Sequence, residues 1–195
     1  NSTEKNKPKL SDLEDEETKL KEYIQQLIEQ LLLDSKTSKK LHTFFTDMII
    51  PPEDEFKFKN LKDYNNWAKA SLTSLNEEKL KSYGELLIAN HLAINGINYQ
   101  YEKQYNPKSK KIFKDNYRPD FYLPDYDVYI EYFGIDENKI TAKYVDNEKY
   151  LKEFKWKKKT HREYGTKLID LRYADLKNGK LKSKLNYQLK KYKIE

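Results

Sequence analysis

The chain has 195 residues, 37% hydrophobic and 36% charged, with a formal net charge of +6 and no cysteine. The last fact excludes disulfides and cysteine-ligated zinc, and no apolar run approaches the ~20 residues that span a bilayer. No apolar segment follows the lysines of NSTEKNKPKLSDLEDEE, so no signal peptide is read there; a cytoplasmic chain with no membrane partner is the expectation.

The charge is uneven. Residues 1–80 carry 13 Lys and 16 acids, net −3, whereas residues 81–195 carry 25 basic and 16 acidic residues, net +9. A basic surface around acidic residues suits a polyanion whose chemistry needs a metal. Lysine-rich chains are also common where codon usage favours Lys, Asn and Tyr, so charge alone does not decide. Tyrosine is abundant, at 17 residues, and an aromatic core with hydroxyls at its edge follows.

Residues 1–10 are polar and without periodicity. Ser11 or Asp12 caps a helix predicted to run to Leu33, with Leu20, Ile24, Leu27, Ile28 and Leu31 at helical spacing. Glu14–Glu17 fall in its first turns, where the macrodipole favours acids. A second helix is predicted over Ser38–Ile49, ended by Pro51 and Pro52, and a third over Leu61–Leu72. None holds a catalytic cluster. Residues 1–75 therefore read as a helical subdomain, or as part of a neighbouring domain, and residues 76–195 as the domain that carries chemistry.

Asn76 is a reasonable N-cap for a helix over Glu77–Asn95, closed by Gly96. Glu85 lies on one face with Ile88, Ala89 and Leu92. A carboxylate there is expensive unless paired or bound to metal; the alternative is a helix-end Glu that reaches out or pairs with a Lys. Ile97–Tyr105 alternates with period two, as a strand does. Asn106–Lys111 is a turn-rich loop with Lys108, Lys110 and Lys111 at its tip.

RPDFYLPDYDVYIEYF, residues 118–133, reads as two short strands joined by a turn at Asp125–Tyr126. That turn sets the register: 124 opposes 127, 122 opposes 129, and 120 opposes 131. Asp120 and Glu131 then face each other on one side of the sheet, where like charges are unfavourable and a cation reverses the penalty. The pair reads as half of a divalent-metal site. Residues 134–144 form a loop, which is either an ordinary surface connection or a cover for the site.

A helix follows over Asp146–Tyr164. Tyr150, Phe154, Lys157, His161 and Tyr164 form its inward stripe, placing a lysine in the middle. Lys157 either meets the carboxylate pair or covers apolar surface with its stem. Lys158 and Arg162 fall off the stripe and are candidate phosphate contacts. Gly165 ends the helix, Thr166–Leu171 is a short central strand, and residues 172–193 are mainly helical. The order from residue 77 is helix, three strands, helix, strand, helix, an α/β sandwich with a mixed sheet. Neither a GxxxxGK[ST] nor a GxGxxG loop occurs.

At these residues the sequence resembles the PD-(D/E)XK nuclease superfamily. The match is Pro119-Asp120, then Glu131 after 11 positions, with Glu85 on a preceding helix. The resemblance implies a restriction-endonuclease-like core, a Mg²⁺ or Mn²⁺ cofactor held by Asp120, Glu131 and the Tyr132 carbonyl, and DNA as substrate. One departure stands out: the motif lysine belongs two residues after Glu131, where Phe133 stands. Some members carry it on the following helix, which points to Lys157.

Three blocks over roughly residues 80–171 look more specifically like the nuclease module within some bacterial superfamily 1, UvrD-like (helicase IV-like) helicases. They are KSYGELLIANHLAINGINYQYEK, YRPDFYLPDYDVYIEYFGID and FKWKKKTHREYGTKLIDL. The resemblance implies a DNA endonuclease module working with a helicase domain of the same or an associated chain. Glu85, Asp120, Glu131 and Lys157 would be catalytic. Lys108, Lys110, Lys111, Arg118, Lys158, His161 and Arg162 would line the DNA. The displaced lysine keeps a second reading open: a silent DNA-binding or protein-docking module with the same fold.

Overall fold

A computed structural model describes residues 10–33, 54–108 and 116–194. The chain divides into two units, Asn1–Phe45 and Thr46–Glu195. The described part of the first is helix α1, Leu10–Leu33, on which Leu20, Tyr23, Ile24 and Leu27 are exposed. The helix predicted over Ser38–Ile49 lies outside the described residues.

The described part of the second unit opens with a 3-10 turn at Glu55–Lys57, followed by α2, Leu61–Ser71. The Asn60 side chain caps α2 by accepting the Asp63 N–H at 2.9 Å. Tyr64, Ala68 and Leu72 are buried in the core of this unit.

Helix α3 spans Tyr83–Ile94, beginning six residues after the predicted start. Asn76 caps no helix. Residues 72–80 fold back on themselves through Leu80 N–H to the Leu72 carbonyl, and Glu77 takes a positive φ of 65°. The cap is Ser82, whose Oγ accepts the Glu85 N–H at 3.1 Å while Glu85 Oε1 accepts the Ser82 hydroxyl at 2.9 Å. Ser82-x-x-Glu85 has the sequence form of a capping box. Gly96, at φ 68°, follows the helix end as expected.

Strands β1 (Gln100–Tyr101), β2 (Phe121–Leu123), β3 (Val128–Phe133) and β4 (Lys167–Arg172) form one mixed sheet in that order. Of the strand predicted over Ile97–Tyr105 two residues pair, Gln100 and Tyr101, and it ends at Glu102, whose φ of 47° lies outside strand geometry. Tyr105 N–H rejoins the neighbouring chain at the Tyr117 carbonyl, 2.8 Å away. Between β2 and β3 the register is the predicted one, with Leu123 opposite Val128 and Tyr122 opposite Tyr129. The connection occupies residues 124–127, closed by Asp127 at φ 53°.

Helix α4, Asn147–Tyr164, links β3 to the parallel strand β4, as a βαβ crossover requires. Asp146 caps its start, and Gly165 ends it at φ 67°, a conformation glycine enters without a Cβ penalty. Helices α5 (Tyr173–Lys177) and α6 (Leu181–Lys191) complete the chain.

Strand alternation sorts the residues of β3. Val128, Ile130 and Tyr132 join the main core with Leu86, Ile88, Leu92, Leu185 and Leu189. Tyr129 joins an aromatic cluster with Tyr105, Tyr117 and Tyr122, and Phe133 packs on Phe154 of α4. Glu131 shares the parity of Tyr129 and Phe133, which turns it toward α4. Gly84 sets the approach of α3 to the sheet: a Cβ there would stand 2.1 Å from the Tyr132 ring.

Candidate active site

Glu131 is fully buried in β3, and both of its oxygens are engaged. Lys157 Nζ lies 2.8 Å from Oε2, and the Tyr117 hydroxyl donates to Oε1 at 2.7 Å. The Lys157 side chain is 17% exposed, so this ion pair is shielded from water. Its ammonium also stands 5.7 Å from the Tyr117 ring centre and 5.8 Å from that of Phe133, distances at which ring faces attract cations. Phe133 thus takes up the space two residues beyond Glu131, and the lysine reaches the same carboxylate from α4.

Asp120 sits one residue before β2. Its Oδ2 accepts the Tyr132 N–H at 2.6 Å, doing for β3 what a further residue of β2 would do. The Tyr132 contact with the acid is therefore through its amide. Among the described residues this is the one hydrogen bond of the Asp120 carboxylate. Extending the β2–β3 register by one step sets Asp120 across from Glu131.

The electrostatics tie the groups together. Burial, and then the Asp120 charge, push the Glu131 pKa up, against the opposing pull of Lys157. Burial also raises Asp120, with Lys157 the first influence against it. For Lys157, burial lowers the pKa but Glu131 and Asp120 more than offset it, so the ammonium is retained. Lys157 therefore acts on both acids.

Glu85 is buried too, and burial followed by the Asp120 charge raises its pKa. Its oxygens are occupied differently. Oε1 takes the Ser82 hydroxyl, and Oε2 takes the Lys81 N–H at 3.1 Å and the Tyr101 hydroxyl at 2.7 Å. The structure shows it as the far half of a helix cap that feels the Asp120 charge.

Behind Glu131 runs a chain of side chains. Tyr117 Oη is 3.0 Å from His161 Nε2, His161 Nδ1 is 2.7 Å from Thr166 Oγ1, and Tyr105 Oη is 2.8 Å from the same hydroxyl. Because Tyr117 gives its one proton to Glu131, Nε2 must carry the imidazole proton and Nδ1 accepts from Thr166. Burial, then the nearby Lys157 charge, lower the His161 pKa to about 4, so the ring is neutral at pH 7. The histidine is 2% exposed, and both ring nitrogens point to groups inside the protein.

The other residues read as DNA contacts are placed apart. Lys108 pairs with Asp127 at 3.2 Å, and Arg118 is exposed with an Nη1–Glu102 carbonyl distance of 3.4 Å. Lys158 pairs with Asp170, and Arg162 is exposed on α4. Lys110 and Lys111 lie outside the described residues.

Two residues escape sequence reasoning. Tyr117 is one of 17 tyrosines and sits on no periodic stripe. Glu55 is 5% exposed, and burial pushes its pKa up to about 7; in sequence it follows Glu53 and Asp54, and acids in such a polar run are normally exposed.

The chemistry of the donor set bears on a metal. Among the described residues no three His, Asp or Glu side chains gather as a metal-holding group. Two carboxylates suffice for Mg²⁺, which keeps several waters. Asp120 has an oxygen not taken by Tyr132, and burial raises the pKa of Asp120, Glu131 and Glu85 alike, as closely grouped acids without enough compensating charge do. Asp120 and Glu131 are the two carboxylates that would hold a hard divalent cation. No family model matches the chain, and searches of curated proteins and of solved structures return no significant match. Among the described residues no helix is long and apolar enough to cross a membrane.

Proposed function

We propose that the second unit is a Mg²⁺- or Mn²⁺-dependent endonuclease module that hydrolyses DNA phosphodiesters. The observation that carries it is the meeting of Asp120, Glu131 and Lys157 from a strand edge, a central strand and a helix. The finer fold reading, a restriction-endonuclease-like core, belongs to the same proposal and is supported by the order helix, three strands, helix, strand.

Asp120 and Glu131 would hold the cation, which would supply charge neutralisation at the phosphate and a water of lowered pKa. Lys157 places a fixed positive charge beside the attacked phosphate, where developing negative charge needs it. Tyr117 fixes the Glu131 carboxylate through its hydrogen bond to Oε1. Phe133 and Phe154 pack edge to face with ring centres 4.6 Å apart, and the Phe133 ring lies beside the Lys157 ammonium. A helicase domain as working partner rests on the three sequence blocks alone.

The test is nicking of supercoiled plasmid with Mg²⁺ or Mn²⁺. Wild type should nick, and Asp120→Ala and Lys157→Ala should each lose at least a hundredfold; undiminished nicking by Asp120→Ala sinks the assignment.

A second reading has its own support. Both Glu131 oxygens are engaged and Glu85 is spent on a helix cap, as in a site kept for structure. A silent module would bind DNA in a salt-dependent way and show no Mn²⁺ uptake.

A further inference from the structure

A cleft of about 730 Å³ lies between α4 and α6, floored by β4. It adjoins the acid site without being part of it. On α4 its cationic lining residues, Lys155, Lys158, Lys159 and Arg162, are turned about 100–160° from Lys157, at 100° per residue. His161 joins the two, since it lines the cleft and also touches Tyr117.

The walls are strongly cationic. Lys155, Lys158, Lys159 and Arg162 line it from α4, and Lys191 from α6, against the single acid Asp170 on the floor. Asp170 is already taken: burial pushes its pKa up, but the hydrogen bond and charge of Lys158, then Arg172 and Lys184, hold it below the usual carboxylate range. Lys159 stands 3.5 Å from Glu163. Among the described residues Lys155, Arg162 and Lys191 have no carboxylate partner, and all three are exposed. Like charges gathered this way repel unless a polyanion joins them.

Shape selects the polyanion. The volume suits a small ligand or a short stretch of one strand; a duplex is too wide to enter. Lys155 to Arg162 spans about 10 Å along the helix, a length that a short stretch of one strand with its phosphates can follow. The half-buried Tyr192 ring and Leu168 add flat and apolar surface. Cationic grooves with an aromatic face suit unpaired bases.

We propose that this cleft is a track for single-stranded DNA running to or from the acid site. The proposal rests on the nuclease reading. It adds that the module holds an unpaired strand on the α6 side of α4, through Lys155, Arg162 and Lys191.

The experiment is fluorescence anisotropy of a labelled oligo-dT, and of a duplex of equal length, with the full chain at 50–200 mM NaCl. The triple variant Lys155→Gln/Arg162→Gln/Lys191→Gln should bind oligo-dT at least tenfold more weakly. Its slope of log affinity against log salt should fall by about 2, from three lost contacts at ~0.7 each. The duplex should be affected less, and Lys57→Gln/Lys62→Gln/Lys69→Gln should behave as wild type. Matching thermal melts exclude unfolding of the triple variant, and the single charge reversal Arg162→Glu gives a second reading of the same effect. Unchanged oligo-dT binding in the triple variant overturns the track. So does an equal loss for the duplex, or displacement by polyglutamate as effective as by oligo-dT, which marks a surface for acidic protein. If Asp120→Ala abolishes nicking while the triple variant binds normally, the track alone fails. If wild type neither nicks nor binds any DNA, the nuclease reading fails with it.

Discussion

Lys157 Nζ and Glu131 Oε2 stand 2.8 Å apart although 26 positions separate them in sequence, one on a helix and one on a central strand. The pair is nearly water-free. A buried pair can cost more in desolvation than it returns, but removing one member leaves a charge stranded, at about 3–5 kcal/mol. Lys157→Met should therefore destabilise the fold by that order, measured by urea denaturation. Glu131→Gln combined with Lys157→Met should recover much of the loss. A double variant whose loss is the sum of the single losses would show that the two groups act independently.

Tyr117→Phe keeps the ring and deletes the donor to Glu131. Tyr117 also lies within reach of His161. Loss of one buried hydrogen bond to a charged partner costs about 1.5–3 kcal/mol. The expected result is a modest loss of stability and a fall in turnover of DNA with KM little changed. A change confined to KM would mean that Tyr117 contacts substrate rather than positioning Glu131.

Glu55 makes a pH prediction away from the acid site. Its carboxyl accepts the Tyr83 N–H at 3.2 Å, yet burial raises its pKa from 4.5 to about 7. The folded state then binds a proton more tightly than the unfolded one. The stabilisation is full below about pH 4.5 and is lost as pH rises through 7. Each pH unit across that window is worth ~1.4 kcal/mol, so the whole amounts to roughly 3 kcal/mol. Denaturation midpoints at pH 5.5 and 8.5 should differ more in wild type than in Glu55→Gln, which stays neutral throughout. Equal slopes would remove Glu55 as the cause.

Gly84→Ala should destabilise by about 1–3 kcal/mol. The new methyl meets the Tyr132 ring, which is 6% exposed. A melting temperature equal to wild type would mean that the ring swings aside freely.

Much of the fold is legible in the sequence because its signals are local. The turn after Leu123 sets the β2–β3 register, and with it the opposition of Asp120 and Glu131. Asp146 and Gly165 bracket α4 with the residue types that helix ends demand, and a 4-3-4-3 stripe places Lys157 inward. Where two local signals compete, the sequence misleads. Asn76 and Ser82 are both good caps, and the Leu72–Leu80 turn, a contact between neighbouring segments, decides between them. Glu102 ends β1 through a backbone angle that no residue type announces. Tyr117 and His161 are harder still, since their role exists only once β3, α4 and the chain before β2 meet.

The most direct measurement is a Mn²⁺ titration followed by electron paramagnetic resonance on wild type, Asp120→Asn and Glu131→Gln. One Mn²⁺ site in wild type, lost or weakened at least tenfold in both variants, is the expected result. Equal Mn²⁺ binding by all three proteins, or none by any, contradicts a metal held between Asp120 and Glu131.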